Sequence, residues 1–159
     1  NVRYVSAAFN PRQIARLGIE VSLRAHLIKT LENASLGWTF ECHPRLSDIQ
    51  EEMAVVIFRV TQESVTNVLR HARASNLLVQ LRRQADGLQL SVRDDGVGFV
   101  PASNPAAAGQ RGMAGMLARV EQLGGTLRVI SEPGAGAHID VLLPWPRRAR
   151  QRAQLGATS

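Results

Sequence analysis

Apolar positions along the chain recur with two periods, and the switches between them mark out the elements. From residue 17 to 31 the apolar side chains Leu17, Val21, Ala25, Ile28 and Leu31 stand at helical spacing, which predicts an amphipathic helix. "GWTFEC" (37–42) reads as a short strand that Pro44 ends. Ser47 or Asp48 is placed to cap a second helix, with Glu51 and Glu52 in its first turn, where the helix dipole favours negative charge, and this helix is expected to run to about His71. "NLLVQLRR" and "LQLSVRDD" then alternate with period two around the hairpin signal "QADG". The stretch 100–111, "VPASNPAAAGQR", has no apolar period and reads as a mobile loop. A third helix over 112–123 stops at Gly124 and Gly125, and the strands "TLRVISE" and "HIDVLLP" follow, joined through "PGAG". Consecutive hairpins with interspersed helices predict an α+β fold, a two-layer sandwich with a mixed, mainly antiparallel sheet and helices on one face.

The helix that starts near Asp48 carries the first hint of chemistry. At about 100° per residue, Ile49, Met53, Val56, Ile57, Val60 and Val68 share one direction, and so do Glu63, Asn67 and His71. The three polar residues are spaced i, i+4, i+8 and continue the core-facing stripe. Either the helix outruns the sheet and its last turns face water, or the row lines a pocket, since an unpaired buried polar group costs about 1–3 kcal/mol. In a pocket, a carboxylate can orient a water, hydroxyl or imidazole, an amide oxygen can join the shell of a hard cation such as Mg²⁺, and Arg70 with His71 can meet phosphate.

"VRDDGVGF" adds a second hint. One glycine after a strand is ordinary turn chemistry, whereas Gly96 and Gly98 in close succession suit a ligand that approaches the backbone. The carboxylate of Asp94, just before them, can accept from an exocyclic amine and so select adenine. Beyond the loop, "GMAGM" opens a helix, where Gly112 and Gly115 near free N–H groups offer a phosphate seat. Neither a P-loop nor a βαβ unit with GxGxxG is present.

Composition narrows the field. With 159 residues and 45% hydrophobic content, the chain suffices for one domain with a core. No apolar run approaches the roughly 20 residues of a membrane-spanning helix. The lone Cys42 has no internal disulfide partner, which fits a reducing, cytoplasmic setting. The net charge of +6 would suggest nucleic acid if it covered one face. Four of the 18 arginines instead fall in "RRARQR" (Arg147, Arg148, Arg150, Arg152), a basic end expected to be disordered, and one tyrosine and two tryptophans give little surface for stacking bases, so no nucleic-acid partner is expected.

Taken together, "QESVTNVLRHA", "DDGVGF", "GQRGMAGMLARVEQLGG" and "SEPGAGAHIDVLLP" resemble, in order and spacing, the ATP-binding domain of two-component sensor histidine kinases. This is the Bergerat fold shared with gyrase, Hsp90 and MutL; the short loop and the helix after it are most similar to the NarL-type subfamily of NarX, UhpB and DesK. The resemblance implies that Asn67 would ligate Mg²⁺ at the phosphates, with Glu63 one turn earlier helping to polarise the reacting group and Arg70 and His71 near phosphate. Asp94 would accept from the adenine amine, with Gly96 and Gly98 admitting the purine. Gly112 and Gly115, with Met113 between them, would form the second glycine motif at the phosphate end of a lid; Met113, like Met116, Trp38 and Trp145, also reads as a packing residue.

The chain departs from the family pattern at Ala137 and His138, where a threonine usually follows the second glycine, and at Asn10, where arginine is usual. The hairpin carrying a phosphoaccepting histidine is missing, and His26 lies inside a helix without the acidic neighbour such a site uses. His43 and His138 read as strand-end or surface residues. The implied organisation is a connection over 1–10, a catalytic domain over 11–145 and a basic tail over 146–159. The expected activity is that of a monomeric catalytic fragment that binds Mg-ATP and donates the γ-phosphate to a histidine on a separate dimerisation domain of the same kinase, for onward transfer to a response regulator of the NarL/LuxR type. The alternative is a stand-alone nucleotide switch or a serine kinase like the anti-sigma factors on the same fold.

Overall fold

The structure, a computed structural model, describes residues 11–43, 46, 48–98 and 111–146 of the 159-residue chain. The expected 100–111 loop falls outside them up to Gln110, as do the 1–10 connection and the tail after Pro146.

Five strands form one mixed sheet in the order β1-β2-β3-β5-β4. They are β1 (Gly37–His43), β2 (Asn76–Arg83), β3 (Gly87–Asp94), β4 (Thr126–Ser131) and β5 (Ala137–Pro144). β1 runs parallel to β2 with Phe40 opposite Val79; the other three pairings are antiparallel. The alternation seen in sequence sorts the side chains. Leu77, Val79, Leu81, Leu88, Leu90, Val92, Ile139, Val141 and Leu143 are buried toward the helices. The opposite face is polar: Gln80 donates to Glu41 across β2 and β1 (2.6 Å), and Gln89 to Asp140 across β3 and β5 (2.9 Å).

The helices are α1 (Pro11–Leu17), α2 (Ile19–Leu31), α3 (Glu51–Asn67) and α4 (Arg111–Gln122). A single long first helix is not what forms. Gly18, at φ 84°, interrupts it, and the side packed on the core is Ile19, Leu23, Leu27 and Leu31. Of the stripe read from sequence only Leu31 is buried, while Leu17, Val21 and Ile28 are 46%, 53% and 49% exposed. Both stripes satisfy a 3.6-residue period, and Gly18, by re-aiming the chain, decides which one turns inward.

The second helix begins later than its capping signals suggested. Gln50 is its N-cap, without a side-chain bond, and Asp48 instead pairs with Arg83 at 2.5 Å. Arg83 also stacks on Trp145, whose indole Nε1 donates to the Gln84 carbonyl, so the chain after β5 is tied to the β2–β3 hairpin. Trp145 is thus a packing residue. The third helix stops as expected, with Gly124 at φ 72° and Gly125 N–H donating back to Val120.

α3 lies over the sheet with Met53, Val56, Ile57, Val60 and Val65 buried. Its buried hydroxyls are satisfied within the helix, Thr61 donating to the Ile57 carbonyl and Ser64 to that of Val60. After Asn67 the helix widens into a π-turn (Val68–Ala72) and ends at Arg73, which takes the left-handed conformation at φ 47°. Sequence periodicity does not show such a widening, which in proteins often sits at functional sites.

Candidate functional site

The end of α3, the end of β3, the first turn of α4 and the start of β5 enclose a cavity of about 240 Å³. Glu63, Asn67 and His71 all line it, so the polar row borders a pocket, with Glu63 and Asn67 half-buried and His71 exposed at its rim. The helix supplies this because its stripe is continuous: the residues that anchor it upstream set the rotation that brings the row over the strand ends. Val68, Ala72, Val92 and Ile139 provide apolar walls, with Ala137 beside Asp94 at the sheet end. Sequence reasoning did not assign these walls to the site. The available signal was the period itself, because Val92 lies two residues before Asp94 on the same face of β3, and Ile139 pairs with Val92.

Asp94 is 8% exposed and lines the cavity. Burial raises its pKa above the usual carboxylate range, and the negative charge of Asp95 adds to this; the Gly96 and Ala137 N–H groups partly offset the shift, the Gly96 N–H reaching Oδ1 at 2.8 Å. A buried carboxylate against apolar walls, with acceptor capacity to spare, fits a ligand that brings an N–H donor and a flat apolar body.

The neighbouring aspartate has a different task. Asp95 Oδ1 accepts from the Ser75 and Asn76 N–H groups at 2.8 Å each, and Oδ2 accepts from Asn76 Nδ2 at 2.9 Å. It pins the start of β2 to the end of β3, and those donors hold its carboxyl below the ordinary aspartate range. This division of labour within "DD" was not read from sequence.

The glycines are fixed by protein backbone as much as by any ligand. A Cβ on Gly96 would collide with the Ala72 carbonyl, next to the Val97 N–H bond to that same oxygen at 2.7 Å. Gly96 therefore lets the β3 end dock on the π-turn and does not itself line the cavity. Gly98 does line it; it stands at φ 66°, and a side chain there would strike the carbonyls of Glu132 and Gly136. On α4, Gly112 and Met113 border the cavity, whereas Gly115 faces open space and Arg70 is exposed without lining it. Met116 is buried and packs against Ser64. Among the described residues no group of three or more His, Cys, Asp and Glu side chains could hold a metal by itself.

His26 is remote from this site. It rests on Phe58 of α3 with ring centroids 5.2 Å apart, and its Nε2 is buried without a hydrogen-bond partner among the described residues. His138 lies on the outer sheet face with Nε2 2.8 Å from Ser91 Oγ. The side chain of His43 falls outside the described residues.

With this geometry in place, comparison with known proteins gives the class. Residues 53–147 match the model of the histidine kinase-, DNA gyrase B- and HSP90-like ATPases, and the chain belongs to that family. The match takes in the helix row, both glycine motifs and the sheet from β2 onward. Among individual relatives, the chain is 33% identical over 145 residues to the signal transduction histidine-protein kinase/phosphatase UhpB of Salmonella typhimurium, covering 90% of this chain and 28% of that protein. It is 39% identical over 92 residues to a sensor-like histidine kinase of Chloroflexus aurantiacus, covering 55% of this chain and 15% of the relative. The chain thus spans under a third of either relative. In fold it is similar to the histidine kinase domain of the Erythrobacter litoralis EL346 blue-light activated kinase, with TM-score 0.67, 22% identity, and coverage of 79% of this chain and 64% of that one. It is also similar to the Acinetobacter baumannii kinase AdeS, with TM-score 0.63, 16% identity, and coverage of 79% and 62%.

Proposed function

We propose that residues 11–145 are the ATP-binding catalytic domain of a sensor histidine kinase. The observation that carries this is the cavity itself: one buried carboxylate among apolar walls at the sheet end, and a glycine-started helix with a polar row at the other. Asp94 accepts from the adenine amine, and Val92, Ile139, Val68 and Met113 sandwich the purine. The cavity's 240 Å³ is below the roughly 300–1,000 Å³ of whole-ligand pockets, so the base enters and the phosphates extend past Asn67 and His71 toward the first turn of α4.

Asn67 contributes an amide oxygen to Mg²⁺, an ion that takes one or two protein ligands and completes its shell with phosphate and water, which fits the absence of a metal-binding cluster among the described residues. Bound Mg²⁺ neutralises charge on the transferring phosphoryl group. Positioning and neutralisation are most of what the protein supplies to such a reaction. Glu63 stands one turn before Asn67, facing the phosphate end. The acceptor is a histidine on a dimerisation domain of the same full-length kinase, and a response regulator of the NarL/LuxR type takes the phosphoryl group onward in the cytoplasm. No helix among the described residues is long and apolar enough to cross a membrane.

Calorimetric titration tests the reading. ATP and ADP bind and GTP does not, because guanine turns a carbonyl oxygen toward Asp94; equal affinity for ATP and GTP removes Asp94 from the base site. Asn67→Ala abolishes the Mg²⁺ dependence while the fold persists. A variant that melts far below wild type with its Mg²⁺ dependence intact makes Asn67 a structural residue.

A further inference from the structure

Asp94 and Asp95 follow one another at the end of β3, so their side chains point to opposite faces of the sheet. Asp94 is the last residue of the ladder, opposite Leu77 on β2 and Ala137 on β5, and beyond it the backbone bond from the Asp95 N–H to the Asn76 carbonyl is long at 3.3 Å. The Asp95 side chain takes over where the ladder weakens. It is exposed, yet it accepts three hydrogen bonds, from the Ser75 and Asn76 N–H groups at 2.8 Å each and from Asn76 Nδ2 at 2.9 Å. Those donors stand just after Ala72, the last residue of the π-turn. The Ala72 carbonyl in turn accepts the Val97 N–H at 2.7 Å, and the Val97 carbonyl accepts the Gly134 N–H at 2.6 Å. Three backbone segments that line the cavity, through His71 and Ala72, Asp94 and Gly98, and Ala137, are thereby tied together around residues 94–98, and Asp95 adds a side-chain tie to the backbone ones.

We infer that Asp95 is a positioning residue for nucleotide selection: its carboxylate clamps the exit of the π-turn to the end of β3 and so fixes the aim of the Asp94 carboxylate at the base. This rests on the nucleotide reading above and deepens it. With the Asp95 side chain held, the peptide that joins it to Asp94 cannot rotate, and Asp94 meets a donor without reorganising; a polar group selects a ligand only as far as its geometry is set beforehand. Without the clamp the strand end frays, and a carboxylate that swings accepts from water as readily as from an amine. The clamp is built from acceptor oxygens, so an asparagine, which keeps Oδ1 for the two backbone N–H groups, preserves most of it.

The test is titration of wild type, Asp95→Ala and Asp95→Asn with ATP and with purine riboside triphosphate, which lacks only the exocyclic amine. Wild type favours ATP on the order of ten-fold, the worth of a hydrogen bond to a charged group, and Asp95→Ala retains a preference of only about two-fold while Asp95→Asn keeps most of it. Loss of a purely structural residue weakens both nucleotides alike and leaves their ratio unchanged, and that result in Asp95→Ala overturns the positioning role. Should Asp95→Ala fail to fold, Asn76→Ala, which removes the Oδ2 bond and leaves both backbone ones, carries the test: a reduced ratio supports the clamp and an unchanged ratio overturns it. A wild type that binds neither nucleotide, or binds both equally, overturns the reading of Asp94 itself and the clamp with it.

Discussion

Asp94 accepts two backbone N–H groups and still titrates above the ordinary carboxylate range because burial outweighs them. An adenine amine needs the charged form as its acceptor. As pH falls, Asp94 takes up its proton earlier than an exposed aspartate, and ATP affinity is expected to drop in that acidic window; affinity that stays flat to about pH 4, near the unperturbed value, contradicts the assignment. His26 shifts the other way, its pKa lowered first by burial and then by Lys29. The unfolded chain binds that proton near pH 6.5 while the folded one resists it, so stability is full at neutral pH and is lost as pH falls below about 6.5. In urea denaturation, His26→Leu should flatten this loss. An unchanged pH profile in the variant places the acid sensitivity elsewhere. The Asp94 assignment did not need the fold to be suggested, since Asp94 stood before paired glycines, whereas the burial of His26 against Phe58 did. The hydrogen-bonding role of Asp95 needed it too, because its three donors come from Ser75 and Asn76, twenty and nineteen residues earlier in the chain.

Elements were legible where one face of a periodic segment had a clear rival in polarity. β2, β3 and β5 alternate cleanly, and α3 carries charges opposite its stripe, so the two hairpins and the Glu63, Asn67, His71 row followed from spacing, while the parallel β1–β2 pair and the β3–β5 pair did not. α2 was not legible in this way, having apolar residues on two sides, and neither were the π-turn and the docking of Gly96 on Ala72, which depend on contacts between distant backbones. Gly96→Ala drives a methyl into the Ala72 carbonyl at a place where both backbones are hydrogen-bonded, and should cost about 1–3 kcal/mol, the range of overpacking in a tight site. The contact between α3 and α4 has its own check. Gly112→Ala should raise the melting temperature by less than helix propensity alone provides, because its methyl meets the flexible end of the Glu63 side chain, which has to swing aside. In a Glu63→Ala background the same change should stabilise by the full amount, up to about 1 kcal/mol from helix propensity. Additive effects in this double-mutant cycle would mean that the two residues do not touch.

At the scale of the described residues, the proposed donor site has no well-placed acceptor. Transfer to histidine requires an imidazole nitrogen in line with the γ-phosphate, and the side chains of the three described histidines are poorly placed for it. His71 is part of the cavity wall beside the expected phosphates, His26 is held against Phe58, and His138 lies on the opposite face of the sheet. Tighter nucleotide binding cannot replace a missing nucleophile, because only interactions made in the transition state speed the step. Incubated with radiolabelled Mg-ATP, the 159-residue chain should therefore bind nucleotide yet remain unlabelled. Adding a separate fragment that carries the histidine-bearing hairpin should place label on that fragment, with the acid lability and base stability of a phosphoramidate. Stoichiometric labelling of the chain alone, lost on His26→Gln, would show instead that the helix layer opens far enough to bring His26 to the cavity.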